Sequence, residues 1–213
     1  DQESGEGMSD KQVRDEVMTI FFAGHETTAL TLTWAWTLLM DHPRVLARLR
    51  EEVDRVLGER MPAVDDLKEL TYTGMVIDEA LRLYPPAWVF VRTAAEDDSL
   101  SGWHIPKGSF LMLSPYITHH DPNLWQDPEA FLPERFGPEN ATEIVKNSYY
   151  PFGGGPRMCI GKNFALMEAG LFLAMMVQRF DMQLLPDQTV EPHYYVTLRP
   201  KGDVMVSLKK REK

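Results

Sequence analysis

Between Met18 and Met40 the chain is apolar almost throughout, and the helical pattern extends from Ser9 to Asp41 before His42-Pro43 breaks it. The residue before a proline is pushed out of the helical region, and Ser9 or Asp10 can cap the other end, so 9–41 reads as one central long helix. Such an element is roughly 30 residues and ~45 Å long. Apolar on most sides, it is expected to cross the middle of the molecule rather than lie on its surface. The run is long enough for a bilayer, but His25 and Glu26 interrupt it. The apolar run Phe164–Val177 is too short and contains Glu168. Both are therefore expected to be buried helices of a soluble fold.

Two stretches carry groups that a core does not need. In AGHETT, Ala23–Thr28, the small residues Ala23 and Gly24 permit close approach of a large flat group, and Glu26 and Thr27 place a carboxylate and a hydroxyl beside it. A mid-helix threonine can also bond the carbonyl of the preceding turn and loosen the helix. A core helix with an incidental polar patch is the plain alternative. In FGGGPRMCIG, Phe152–Gly161, the chain's single cysteine, Cys159, sits between glycines and a helix expected over 160–179. A helix N-terminus favours the thiolate, which is a nucleophile or a metal ligand. Gly153–Gly155 and Gly161 let backbone approach something bulky, and Arg157 adds a fixed cation. The plain alternative here is a small buried thiol. A phosphate-cradling loop fails, because Pro156 stands where its first glycine should be and Asn163, not Ser or Thr, follows Lys162. A zinc site fails for want of further ligands at short spacing. One thiolate, one open face and one cation suit a haem iron whose macrocycle carries carboxylates.

Phe152, Gly155, Arg157, Cys159 and Gly161 fall on the pattern Phe-x-x-Gly-x-Arg-x-Cys-x-Gly, and Ala23–Thr28 on Ala/Gly-Gly-x-Asp/Glu-Thr-Thr/Ser. With Glu79-x-x-Arg82 and the PERF of 133–136, these motifs resemble those of the cytochrome P-450 superfamily of haem-thiolate monooxygenases. The resemblance implies a mainly α fold with small antiparallel β-sheets, namely the C-terminal haem-binding half of the cytochrome P-450 fold. It implies haem b (iron protoporphyrin IX) ligated by Cys159. Phe152, Gly155, Arg157, Gly161, Ala23 and Gly24 would lie around it, with Arg92 offered to a propionate. Thr27 would steer protons to dioxygen as it is reduced, with Glu26 in the relay; His25 holds the variable position and has no role. Ala87, Trp88, Val89 and Phe90 resemble the segment that lines a substrate pocket, and Tyr195 and Val196 a hairpin approach to it. Glu79, Arg82 and Arg135 match an ion trio that holds the cysteine loop. Electrons would come ultimately from NAD(P)H through a reductase or ferredoxin-type donor. The second substrate, besides O2, would be small and apolar, the nearest analogy being members that act on fatty acids and similar long chains.

The rest of the chain agrees with that class. A helix starts at Pro43 and ends at Gly58, with Arg48/Glu52 and Glu51/Arg55 expected as solvated pairs. Another spans 71–83, ended by Pro85-Pro86. Short strands follow in WVFVR, WHIP and SFLMLSP, with EDDSLSG as a turn. The long segment Tyr116–Tyr150 is expected to be packed down by Trp125, Phe131 and Phe136, with His119-His120 as surface groups. Phe180–Leu185 and a hairpin of VTLRP with VMVSL would form a second small sheet, and KKREK a solvated tail. Residues 1–8 read as a flexible lead-in. With 22 Lys and Arg against 32 Asp and Glu, net −10, nucleic acid is an improbable partner. One cysteine forbids an internal disulfide, which fits a cytoplasmic setting, although the resemblance leaves room for a membrane anchor elsewhere. At 213 residues the match is to half of a typical family member. Two functions thus stay open: a monooxygenase, or a truncated, non-catalytic haem-binding fragment or assembly piece that needs its missing N-terminal half.

Overall fold

The computed structural model describes Gly5 and residues 7–211; of the lead-in at 1–8, residues 1–4 and 6 fall outside that set, as do the last two of KKREK. Among these described residues five α-helices, α1 Asp10–Asp41, α2 Pro43–Leu57, α3 Thr71–Leu83, α4 Pro115–His119 and α5 Lys162–Arg179, carry the fold. Eight short strands flank them: β1 Phe90–Thr93, β2 Asp98–Leu100, β3 Trp103–Ile105, β4 Phe110–Leu113, β5 Phe180–Leu184, β6 Pro192–Tyr194, β7 Leu198–Pro200 and β8 Val206–Lys210. All pairings are antiparallel and two-stranded: β1 with β4, β2 with β3, β5 with β8, β6 with β7. The chain is mainly α with small antiparallel sheets.

Ser9 starts α1 with a capping box, its amide donating to Gln12 Oε1 at 2.9 Å while Gln12 N–H donates back to Ser9 Oγ. The core forms where the C-terminal half of α1 meets α2, α3 and α5, around Ala35, Leu39, Leu49, Val53, Val76, Ile77, Leu173 and Val177. Gly170 of α5 packs closely there: an added Cβ would lie 2.8 Å from Leu67 Cδ2, so the leucine side chain would have to shift. Trp34 stacks on Tyr84 at 4.1 Å between centroids and ties α1 to the end of α3.

Several expectations are corrected. Burial of α1 begins only at Thr28: Val17, Ile20, Phe21 and Phe22 are exposed, because α2, α3 and α5 pack only on the later turns. The same holds for α5, which buries one face and leaves Phe164 and Phe172 exposed. VTLRP does not pair with VMVSL. Leu198 is drawn back toward α1, its carbonyl accepting from Trp34 Nε1 at 3.0 Å and its amide donating to Pro86 O at 2.9 Å, so β7 pairs with β6 and β8 is left to β5. Asp98–Leu100 is a strand rather than part of a turn, the reversal being Ser101-Gly102, both at positive φ as a tight hairpin turn requires. Lys209 and Lys210 belong to β8, and Arg211 is no free tail: its Nη2 lies 2.6 Å from Asp54 Oδ2.

Candidate haem-thiolate site

Glu79 and Arg82 lie on one face of α3 and are fully buried, with Arg82 Nε and Nη2 donating to the two Glu79 oxygens at 2.7 and 2.8 Å. Arg135, in the 3₁₀ turn Pro133–Phe136, adds its Nε to Glu79 Oε1 at 3.3 Å. Arg82 also donates to the carbonyls of His119, Pro128 and Ala130, at 2.8, 2.8 and 3.0 Å. One guanidinium thus pins three points of the long segment that Trp125 and Phe131 bury and that half-buried Phe136 covers.

His119 continues this connection and is not a surface group. It is fully buried, its Nε2 accepting from Tyr150 N–H at 3.1 Å. An amide can only donate, so the proton is on Nδ1, which donates to Arg82 O at 3.1 Å. Burial pushes the ring down to about pKa 3, so it stays neutral. Next to it Tyr149 is half-buried, its hydroxyl donating to Asp78 Oδ1 at 2.9 Å; desolvation raises both the phenol and the carboxyl. The Tyr149-Tyr150 pair, held on both sides, leads directly into Phe152. His120 is half-buried and bonds Tyr116 O through Nδ1 at 2.7 Å. Glu52 is likewise no solvated partner of Arg48: it is buried and accepts from the amides of Tyr72 and Thr73 at 2.7 and 2.8 Å, capping α3 from a neighbouring helix. Arg48 turns to Glu134 and stacks on Tyr72. Apart from the bond of His120 to Tyr116, none of these partners is written in local spacing.

Beyond Phe152, which packs against the core, the loop bends on Gly153 and Gly155 at φ +73° and +67°, a region that favours glycine. Gly153 lies against Phe90, to whose ring an added Cβ would come within 3.8 Å, so the loop rests on β1. Cys159 N–H donates to Phe152 O at 2.9 Å, closing the loop and presenting an exposed thiol three residues before α5 begins. Gly161 stands beside the sulfur. Arg157 is exposed with no hydrogen bond or ion pair among the described residues, and Arg92 bonds only its neighbour's carbonyl, Val91 O, at 2.9 Å. By contrast Arg50, Arg60 and Arg211 each hold a carboxylate. A soft ligand, two guanidiniums free for carboxylates and a glycine backbone open to close approach fit a haem.

On α1, Ala23, Gly24 and Glu26 are exposed and Thr27 is half-buried. Thr27 Oγ1 donates to Ala23 O at 2.7 Å, the back-bond expected of a mid-helix threonine. Glu26 Oε1 accepts from Thr197 Oγ1 at 2.9 Å, a partner that sequence reasoning missed. Ala87, Trp88 and Val89 are half-buried; Trp88 Nε1 donates to Tyr195 O at 2.8 Å and its ring meets Tyr194 edge-on. Val196, at the hairpin apex beside Tyr195, is 82% exposed. Among the described residues no helix is long and apolar enough to cross a membrane.

A sequence profile of the family described as cytochrome P-450 matches residues 1–207. The chain is 47% identical over 198 residues to cyclooctatin synthase of Streptomyces melanosporofaciens, covering 93% of this chain and 43% of that protein. It is 40% identical over 212 residues to the chloroplastic carotene epsilon-monooxygenase of Arabidopsis thaliana, covering 98% and 39%. With cyclooctat-9-en-7-ol 5-monooxygenase of Streptomyces melanosporofaciens it shares 41% over 188 residues, 88% of this chain and 41% of that one. It spans less than half the length of each of these relatives.

Proposed function

Since the chain belongs to the cytochrome P-450 family, we propose that it is the haem-binding part of a haem-thiolate monooxygenase that inserts one oxygen atom of O2 into an apolar organic substrate. The observation that carries this is the exposed Cys159 thiol on a positive-φ glycine loop, with Arg157 and Arg92 lacking carboxylate partners. Cys159 would ligate iron as the thiolate, Arg157 and Arg92 would pair with the propionates, and Phe152, Gly155 and Gly161 would set the loop's distance. Ala23 and Gly24 keep α1 narrow where a flat group must fit. The bound haem supplies the electron and dioxygen chemistry, with the balance R–H + O2 + 2 e⁻ + 2 H⁺ → R–OH + H2O. The electrons come from a separate reductase or ferredoxin, ultimately from NAD(P)H.

Both protons must reach a water-restricted pocket, and that is the work of this chain's own groups. Thr27 holds a hydroxyl whose lone pairs stay available while its proton is engaged by Ala23 O, and Glu26 stands one residue away to exchange protons with solvent. Ala87, Trp88, Val89 and Val196 offer the apolar contacts. The names of the relatives, one for carotene and two for cyclooctatin and cyclooctat-9-en-7-ol, support an apolar organic substrate.

The test is oxygen isotope labelling with reductant supplied. One atom of labelled O2 is expected in the product and one in water; a product oxygen taken from water overturns the reading. Thr27→Ala is expected to raise reductant consumed per product severalfold with the haem spectrum unchanged, and normal coupling removes Thr27 from the relay. A second reading applies to the 213 residues alone: exposed Phe21 and Phe22 on α1 favour a fragment that functions only with further polypeptide covering that face. Loading haem into the chain with and without such a segment separates the two.

A further inference from the structure

The turn joining β6 to β7 is anchored from two sides. Segment 86–88 holds it through Pro86 O, which accepts from Leu198 N–H at 2.9 Å, and through the Trp88 indole on Tyr195 O at 2.8 Å. From α1, Trp34 reaches Leu198 O at 3.0 Å and Glu26 takes the Thr197 hydroxyl at 2.9 Å. Thr197 is buried, whereas Glu26 is exposed and makes no ion pair among the described residues; Thr197 is the only described donor to its carboxylate. An exposed glutamate with no partner samples many rotamers, and a single bond to an anchored turn selects one.

We propose that Thr197 is the positioning residue of Glu26: its hydroxyl, fixed by the Trp34 and Trp88 anchors, aims the carboxylate that serves Thr27. The inference rests on the monooxygenase reading and deepens it. Val196, the exposed apolar residue adjacent to Thr197, shares the same turn, so the part of the chain that meets substrate and the part that aims the proton donor form one mechanical unit. Side-chain identity at 197 then bears on the efficiency with which reductant becomes product, apart from any effect on substrate affinity.

The experiment compares Thr197→Val, which keeps the shape and removes the donor, with Thr197→Ser, which restores it, in the haem-loaded protein. Two readouts are taken. The first is the isotope-edited infrared band of the Glu26 carboxylate, assigned by its loss in Glu26→Gln. The second is product formed per reductant consumed, with substrate KM measured alongside. The band is expected to shift in Thr197→Val and to return in Thr197→Ser, and coupling is expected to fall severalfold in the valine variant with KM unchanged and to recover in the serine one. An unmoved band overturns the proposal. So does retained coupling, or a raised KM with coupling intact, which makes Thr197 a pocket residue only. If the wild-type protein, reduced under carbon monoxide, lacks a strongly red-shifted Soret band, the monooxygenase reading itself falls and the inference with it. If that band is present and coupling survives Thr197→Val, this inference alone falls.

Discussion

Acidification should act on this protein through His119. The ring is buried and neutral, donating to Arg82 O and accepting from Tyr150 N–H, with its pKa pushed down to about 3 by burial. In the unfolded chain a histidine titrates near ~6.5. A base with a lowered folded pKa contributes stability that is present above the unfolded value and is lost as pH falls toward the folded one. Between pH 7 and pH 5 that loss is about 2 kcal/mol, rising by about 1.4 kcal/mol per further unit until pH approaches 3. Asp78 acts in the opposite sense: burial raises its carboxyl, so its contribution is present at low pH and lost as pH rises. His119→Phe keeps an aromatic ring but cannot titrate, and it strands two buried backbone groups at about 1–3 kcal/mol each. The assay is urea denaturation of both proteins at pH 7 and pH 5. Asp78 and the other common groups cancel in the difference, so the wild-type advantage should shrink by about 2 kcal/mol at the lower pH. Parallel pH profiles would refute the buried, neutral histidine.

Two further substitutions probe the frame around the cysteine loop. Glu79→Ala leaves Arg82 buried without its carboxylate and should destabilise by about 3–5 kcal/mol, read from the urea midpoint; a change below about 1 kcal/mol would show that Arg82's three carbonyl partners suffice. Glu52→Ala removes the acceptor from the Tyr72 and Thr73 amides and should cost about 1–2 kcal/mol, with faster amide exchange confined to the first turn of α3; unchanged exchange there would count against the remote cap.

What the sequence discloses follows from where the constraint is written. α2 and α3 are legible because Pro43 starts the one, Gly58 and Pro85 end the two in turn, and their apolar residues recur at helical spacing. The Cys159 loop is legible because its conformational demands are concentrated in glycines, two of them at positive φ. The burial of α1 is not, since an apolar face says that something should cover it but not whether this chain does so. The pairing of β7 is decided by Trp34 and Pro86, over a hundred residues earlier in the chain, which overrides the local hairpin pattern. His119, Glu52 and Thr197 escape for the same reason: their partners lie 37, about 20 and 171 residues away. A polar residue of unremarkable spacing looks solvated until the fold brings a buried amide or carboxylate to it.

The proposed ligand of haem iron is the Cys159 sulfur, and the spectrum of the reduced, carbon monoxide-treated protein interrogates that bond alone. The haem-loaded wild type is predicted to show a strongly red-shifted Soret band that Cys159→Ala abolishes while Thr27→Ala retains it. A wild-type band like that of histidine-ligated haem, or a red-shifted band that persists in Cys159→Ala, would contradict it.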